Sequence, residues 1–129
     1  MNLLHEGLSN QIIKTFYAVY NELGCGFLEK VYQNALYLEL KSQGFLVEAQ
    51  KLIKVYYKGQ QVGEYYADLI INEVIILELK AAEFVVEDFE NQLINYLKAS
   101  NIEVGLLLNF GVDPQFKRKV FNNDRKNTL

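Results

Sequence analysis

Asp68, Glu78 and Lys80 are charged residues placed in stretches that otherwise read as buried. The run Ile75-Ile76-Leu77-Glu78-Leu79-Lys80-Ala81 has the pattern of a strand covered on both faces. Glu and Lys are almost never fully buried unless they are paired. Glu78 and Lys80 are two apart, so on a strand they share a face. The run before it, Tyr66-Ala67-Asp68-Leu69, carries one acid. Two carboxylates brought together repel, and a cation between them relieves the repulsion. Magnesium is commonly held by one or two carboxylates with waters and a substrate phosphate. Such an ion can lower the pKa of a water and neutralise charge growing on a phosphate. Lys80 could orient that water or stabilise the pentavalent oxygens as a point charge. The set suits phosphodiester hydrolysis, and a structural ion pair of Lys80 with Glu78 or Asp68 is the competing reading.

Whether Asp68 joins the other two depends on hairpin parity. Directly opposed residues on paired strands point to one face. Asp68 opposite Glu78 requires Ile71 opposite Ile75, with a three-residue connection, Asn72-Glu73-Val74. A two-residue turn would set Asp68 against Leu77 and split the acids across the sheet. Two more residues sit within reach of the cluster in this reading. Gln92 lies on the apolar side of a helix between Phe89 and Tyr96, either as a boundary glutamine or as a hydrogen-bonder to water or phosphate. Glu29 opens another helix, either pairing with the helix dipole or acting as a third carboxylate through water.

The elements that must position these residues follow from periodicity. Leu8, Ile12, Phe16, Val19 and Leu23 recur at helical spacing over 8–23, and Gly24-Cys25-Gly26 ends the helix. A second helix is expected over about 28–43. Residues 45–57 read as a strand with Val47, Ala49, Ile53, Val55 and Tyr57 on one face. Lys58-Gly59-Gln60-Gln61 turns into strands at 62–71 and about 74–81. The acids Glu87, Asp88 and Glu90 open a helix at about 87–100, where the dipole favours them. Residues 103–110 form a buried strand, parallel to its predecessor because a strand–helix–strand unit crosses over. A last helical turn is expected at about 114–122. The order predicts an α/β (α+β) sandwich around a mixed sheet, one domain over 1–129 with its core at about 8–121.

Bulk properties narrow the function. The 129 residues are half hydrophobic and rich in Tyr and Phe, which excludes a mainly disordered chain. One cysteine, Cys25, and one histidine, His5, exclude a Cys-rich zinc site, so a metal here would be held by oxygen. No apolar run is long enough for a membrane span and no signal pattern opens the chain, so the expected compartment is cytoplasmic. The net charge of −3 is uneven: residues 114–129 carry a net +4, leaving −7 for the rest. An acidic body can still act on nucleic acid if its acids bind metal.

At these residues the chain resembles the GxxExxY protein family of the PD-(D/E)xK nuclease superfamily. Leu23-Gly24-Cys25-Gly26-Phe27-Leu28-Glu29-Lys30-Val31-Tyr32 is similar to the family's signature, with Gly26, Glu29 and Tyr32 on its named positions. Gly63 to Asp68, Glu78 to Ala81, Gln92 to Leu97 and Gly105 to Gly111 resemble its later blocks. The resemblance implies an αβββαβ core around a four-stranded mixed sheet flanked by helices. It implies magnesium, with manganese able to substitute, on Asp68, Glu78 and the Leu79 carbonyl. Lys80 would be the catalytic lysine, Gln92 and Tyr96 a Gln-x-x-x-Tyr element, and Glu29 the first-helix acid. The expected activity is a metal-dependent nuclease, endo- or exonuclease, with DNA ahead of RNA as substrate and a homo-oligomer or protein partner supplying specificity. The chain departs from the family at Ala67, where the superfamily name has proline, and at Tyr20 and Phe89, where members often carry histidine. The departures open an alternative: a catalytically inactive nuclease-fold module that binds nucleic acid or a protein partner.

Overall fold

The computed structural model describes residues 3–126. Helices α1 (Glu6–Leu23) and α2 (Glu29–Ser42) come first, then strands β1 (Val47–Tyr57), β2 (Gln60–Ile71) and β3 (Ile75–Lys80). Helix α3 (Glu87–Ala99), strands β4 (Val104–Phe110) and β5 (Pro114–Val120), and a short 3-10 turn at Asn123–Arg125 complete the order. The strands lie in one sheet in chain order. Only β3 and β4 run parallel, and α3 connects them; the other neighbours are antiparallel.

The sheet is covered on both faces, which is why β3 and β4 are apolar almost throughout. On one face Ile12 and Phe16 of α1 and Leu36 and Leu40 of α2 pack on Ile75, Leu77 and Leu79 and on Val104, Leu106 and Leu108. On the other, Leu93, Tyr96 and Leu97 of α3 pack with Ile70, Ile76 and Leu107. Alternation along β3 therefore assigns Glu78 and Lys80 to the α3 side. Gly105 permits the close approach of α3, because a Cβ there would fall 2.6 Å from Leu93 Cδ1.

Two sequence expectations are corrected. Residues 114–122 do not make a helical turn. Pro114–Val120 of this stretch form β5, paired with β4 from Phe110↔Pro114 to Val104↔Val120, so the sheet has five strands rather than four. Pro114 marks the first residue of an edge strand, a position that needs no ladder N–H, and β5 satisfies the main-chain groups that β4 would otherwise expose. The second correction concerns β1. Val47 packs on the α1/α2 side but Ile53 on the α3 side, while Ala49 and Tyr57 are exposed. Gln50, at φ 50, interrupts the alternation between them.

The segment after β3 is held by a clamp. Asn109, fully buried on β4, accepts the Ala82 N–H through Oδ1 and donates Nδ2 to the Ala82 carbonyl, both at 2.9 Å. A Cβ on Gly111 would collide with that same carbonyl. Gly111→Ala should therefore force backbone movement and cost about 1–3 kcal/mol, the range for overpacking a tight site. Chemical denaturation of the variant against the parent checks this; equal midpoints would refute the close approach.

Candidate active site

The β2–β3 turn decides the site. Ile71 pairs with Ile75, Ile70 with Ile76 and Leu69 with Leu77, so the connection is Asn72-Glu73-Val74, three residues as parity required. Asn72 and Glu73 adopt consecutive left-handed conformations, φ 51 and 61. The Val74 N–H closes the turn on the Ile71 carbonyl at 3.0 Å. Asn72 is also bonded to Leu46 twice, its N–H to the Leu46 carbonyl and its Oδ1 from the Leu46 N–H, which ties the turn to the start of β1.

Past Leu69↔Leu77 the two strands exchange side chains for main-chain bonds. The Asp68 N–H donates to Glu78 Oε1 at 3.1 Å, and the Leu79 N–H donates to Asp68 Oδ2 at 2.8 Å. Each carboxylate thus satisfies a main-chain donor beside the other. Glu78 is only 3% exposed. Burial, then the Asp68 charge, pushes its carboxyl up to about 8, against the pull of the Asp68 N–H and Lys80, while the Glu29 charge raises it further. Asp68 is also raised, by burial, with the Leu79 N–H, Lys80, the Gln50 side chain and Lys30 acting the other way.

Lys80 is partly exposed, and its Nζ sits 4.9 Å from the centre of the Phe89 ring. The ion pairs among the described residues are Lys51–Glu48 and Lys119–Glu90. The ion-pair reading of Lys80 is not what the fold adopts. Gln92 Nε2 donates to the Tyr96 hydroxyl at 2.9 Å, and Tyr96, 5% exposed, packs its ring 4.9 Å from Tyr65. Burial, then the Glu78 charge, raises the Tyr96 hydroxyl to about 12, with Asp68 adding to the effect and Gln92 opposing it. Tyr96 therefore stays a neutral donor beside the acids. Glu29 is exposed on the first turn of α2 and touches the cluster through its charge rather than by contact. Leu79 buries its side chain toward α1 and α2.

Three features escaped the sequence reading. Tyr32 is a buried pillar: its hydroxyl donates to the Gly24 carbonyl at 2.6 Å and accepts the Phe27 N–H at 3.2 Å, and its ring stacks on Phe110 at 4.3 Å. The Gly26–Glu29–Tyr32 spacing thus fixes the loop that opens α2 and sets where Glu29 sits. Tyr20 pins the β4–β5 turn, with its hydroxyl 2.8 and 2.5 Å from the Gly111 and Val112 carbonyl oxygens. Gln33 of α2, one turn after Glu29, is buried and accepts Gln50 Nε2 at 3.0 Å. Its only sequence signal was a polar residue on a helix face otherwise lined by Tyr32, Leu36 and Leu40.

No group of three or more His, Cys, Asp or Glu side chains among the described residues is gathered to hold a metal by itself. The donor chemistry nevertheless fits a hard cation. Asp68 and Glu78 are two oxygen donors whose charges are unfavourable without a cation between them, and magnesium takes its remaining ligands from water and phosphate.

Comparison with known proteins bears on the family and the fold. The family model described as the PD-(D/E)XK nuclease superfamily matches residues 6–120. Among solved structures, one described as the crystal structure of SSO0001 superposes with a TM-score of 0.59 at 20% identity, covering 92% of this chain. The chain spans 60% of that protein's length, and the likeness is one of fold. No curated protein matches the chain.

Glu78 gives a pH signature. Its carboxyl holds a proton in the folded, metal-free chain up to about pH 8 but releases it in the unfolded chain in the usual carboxylate range. The folded state binds more protons in between, so stability falls as pH rises from about 5 to 8. In the presence of chelator, the melting temperature should drop across that window. Glu78→Gln should flatten the slope and melt higher than the parent at pH 8. Identical slopes for the two proteins would show that Glu78 does not ionise against its surroundings.

Proposed function

The chain belongs to the PD-(D/E)XK nuclease superfamily, and on that premise we propose that it hydrolyses phosphodiester bonds in nucleic acid, DNA ahead of RNA, with a divalent metal. The observation that carries this reading is the fork at Asp68 and Glu78. It joins two carboxylates that, among the described residues, form no ion pair, and Lys80 likewise pairs with none of the described acids.

Asp68, Glu78 and the Leu79 carbonyl would hold magnesium, with manganese able to substitute. When bound, the ion supplies a lowered water pKa and neutralises charge on the phosphate. Lys80 would stabilise the negative charge that grows on the phosphoryl oxygens and orient the attacking water, as a mobile point charge suited to that task. Tyr96, kept protonated by its surroundings, and Gln92, bonded to it, would present hydrogen-bond donors from α3 to the phosphate. Glu29 would reach the site through water from the start of α2. The tie among Gly24, Phe27 and Tyr32 supports placing the chain in the GxxExxY branch.

We read the protein as cytoplasmic; among the described residues no helix is long and apolar enough to cross a membrane. The small size of the site-bearing unit favours a homo-oligomer or protein partner for specificity. One observation favours a second reading, an inactive module that binds nucleic acid or a protein. Tyr20 and Phe89 stand where the resemblance expects histidines, and the fold uses both otherwise, in the β4–β5 turn and beneath Lys80.

Purified protein incubated with single- and double-stranded DNA and with RNA, in magnesium or manganese, separates these readings. Cleavage should need the metal and be abolished by chelator. Asp68→Ala and Lys80→Ala should each lower it about 100-fold or more. Cleavage unaffected by both substitutions would sink the mechanism. Absence of cleavage, with nucleic-acid binding that survives Glu78→Ala, would select the inactive module.

A further inference from the structure

β1 and β2 keep one register from Val47↔Ile71 to Val55↔Gly63, yet Gln50 and Asp68 do not pair, although Ala49↔Leu69 and Lys51↔Ala67 flank them. Gln50 is at φ 50, in a region that side-chain-bearing residues seldom enter within a strand. The break changes what each strand presents to the core. Val47, Leu69 and Ile71 pack on the α1/α2 side, while Ile53 and Ala67 pack on the α3 side. In an unbroken strand Ala67 and Leu69 would share a face. Asp68 sits at the reversal on β2, and Gln50 at the matching point on β1.

Glycine or asparagine would occupy a left-handed position with less strain. A glutamine there calls for a use of its side chain. Gln33, 5% exposed on α2, accepts Gln50 Nε2 at 3.0 Å. An amide nitrogen carries two hydrogens, and Gln50 stands at the register point opposite Asp68, where its side chain helps hold the Asp68 carboxyl down against burial. One amide therefore stands between buried Gln33 of α2 and an acid of the site. Residues held in sparsely populated backbone regions persist when their surroundings over-determine them, and they gather at functional sites.

Resting on the metal-site reading above, we propose that Gln50, anchored by Gln33, is a positioning residue that aims the Asp68 carboxylate at the divalent cation. Neither glutamine touches substrate in this assignment. Gln50 sets the direction of a ligand, and Gln33 sets the direction of Gln50. Partners of this kind fix the orientation of metal ligands in many sites.

Calorimetric titration with manganese, alongside thermal melts in chelator, tests the assignment on the parent, Gln50→Gly, Gln33→Leu and the double variant. Gln50→Gly accepts the left-handed backbone and removes the amide. It should bind manganese about tenfold more weakly or worse, with a melting temperature equal to or above the parent's. Gln33→Leu should weaken binding in the same direction, and the double variant should bind no worse than Gln50→Gly, because both residues act through one chain of contacts. Parent-like affinity in Gln50→Gly would overturn the proposal while leaving the metal site intact. An affinity loss matched by a fall in melting temperature in both single variants would overturn it in favour of a purely structural role. A parent that binds no manganese would overturn the metal-site reading itself, and this proposal with it.

Discussion

The reciprocal bonding of Asp68 and Glu78 to each other's strands is the constraint around which the rest of this protein is arranged. Where the β2–β3 ladder ends, the Asp68 N–H turns to Glu78 and the Leu79 N–H turns to Asp68. Two main-chain donors that would be costly to bury alone are thereby satisfied. The same bonds hold two acids against their own repulsion in a place where burial already disfavours their charge. Without a cation the repulsion is relieved by keeping the Glu78 carboxyl protonated up to about pH 8, and a cation held between the acids would favour the ionised form instead.

The rigidity has a visible source. β3 lies between β2 and β4 and is covered on both faces, so its backbone has no freedom to relax away from the acids. The turn that sets its register is bonded to Leu46, and the segment leaving it is clamped by Asn109. α3 brings Gln92, Tyr96 and the Phe89 seat of Lys80 to one side, its approach allowed by Gly105. α2 brings Glu29 and Gln33 from its own side, located by the Tyr32–Phe110 stack. Each contributor to the site is anchored by a core contact a few residues away, which is how a fold of this size keeps polar groups in place.

Patterns of two kinds were readable from the chain. Long runs with clear periodicity produced α1, α2, α3 and the strands through β4 close to their observed limits. Charges inside apolar runs marked Asp68, Glu78 and Lys80, and the parity of opposed strands predicted the 72–74 connection. Short or mixed patterns failed. Pro114 followed by Gln115-Phe116-Lys117-Arg118-Lys119 is compatible with a helical start or an edge strand, and only the open edge of β4 selects the strand. The face of β1 was misassigned because one left-handed residue, Gln50, changes the phase of every position beyond it. Gln33 and Asn109 gave little signal, since a buried amide announces itself only through its partners.

The sequence by itself determined which charged groups interrupt the apolar strands, two carboxylates and one lysine, and the strand parity that lets the two acids meet. It did so because side-chain direction on a strand repeats every second residue, which turns spacing into geometry. Tertiary structure alone decided how those groups are held. It gave Lys80 an aromatic seat instead of an ion pair, kept the Tyr96 hydroxyl protonated, and bonded Gln50, opposite Asp68 in the sheet, to Gln33 on α2. These outcomes depend on burial and on partners distant in the chain, and neither is encoded in local spacing.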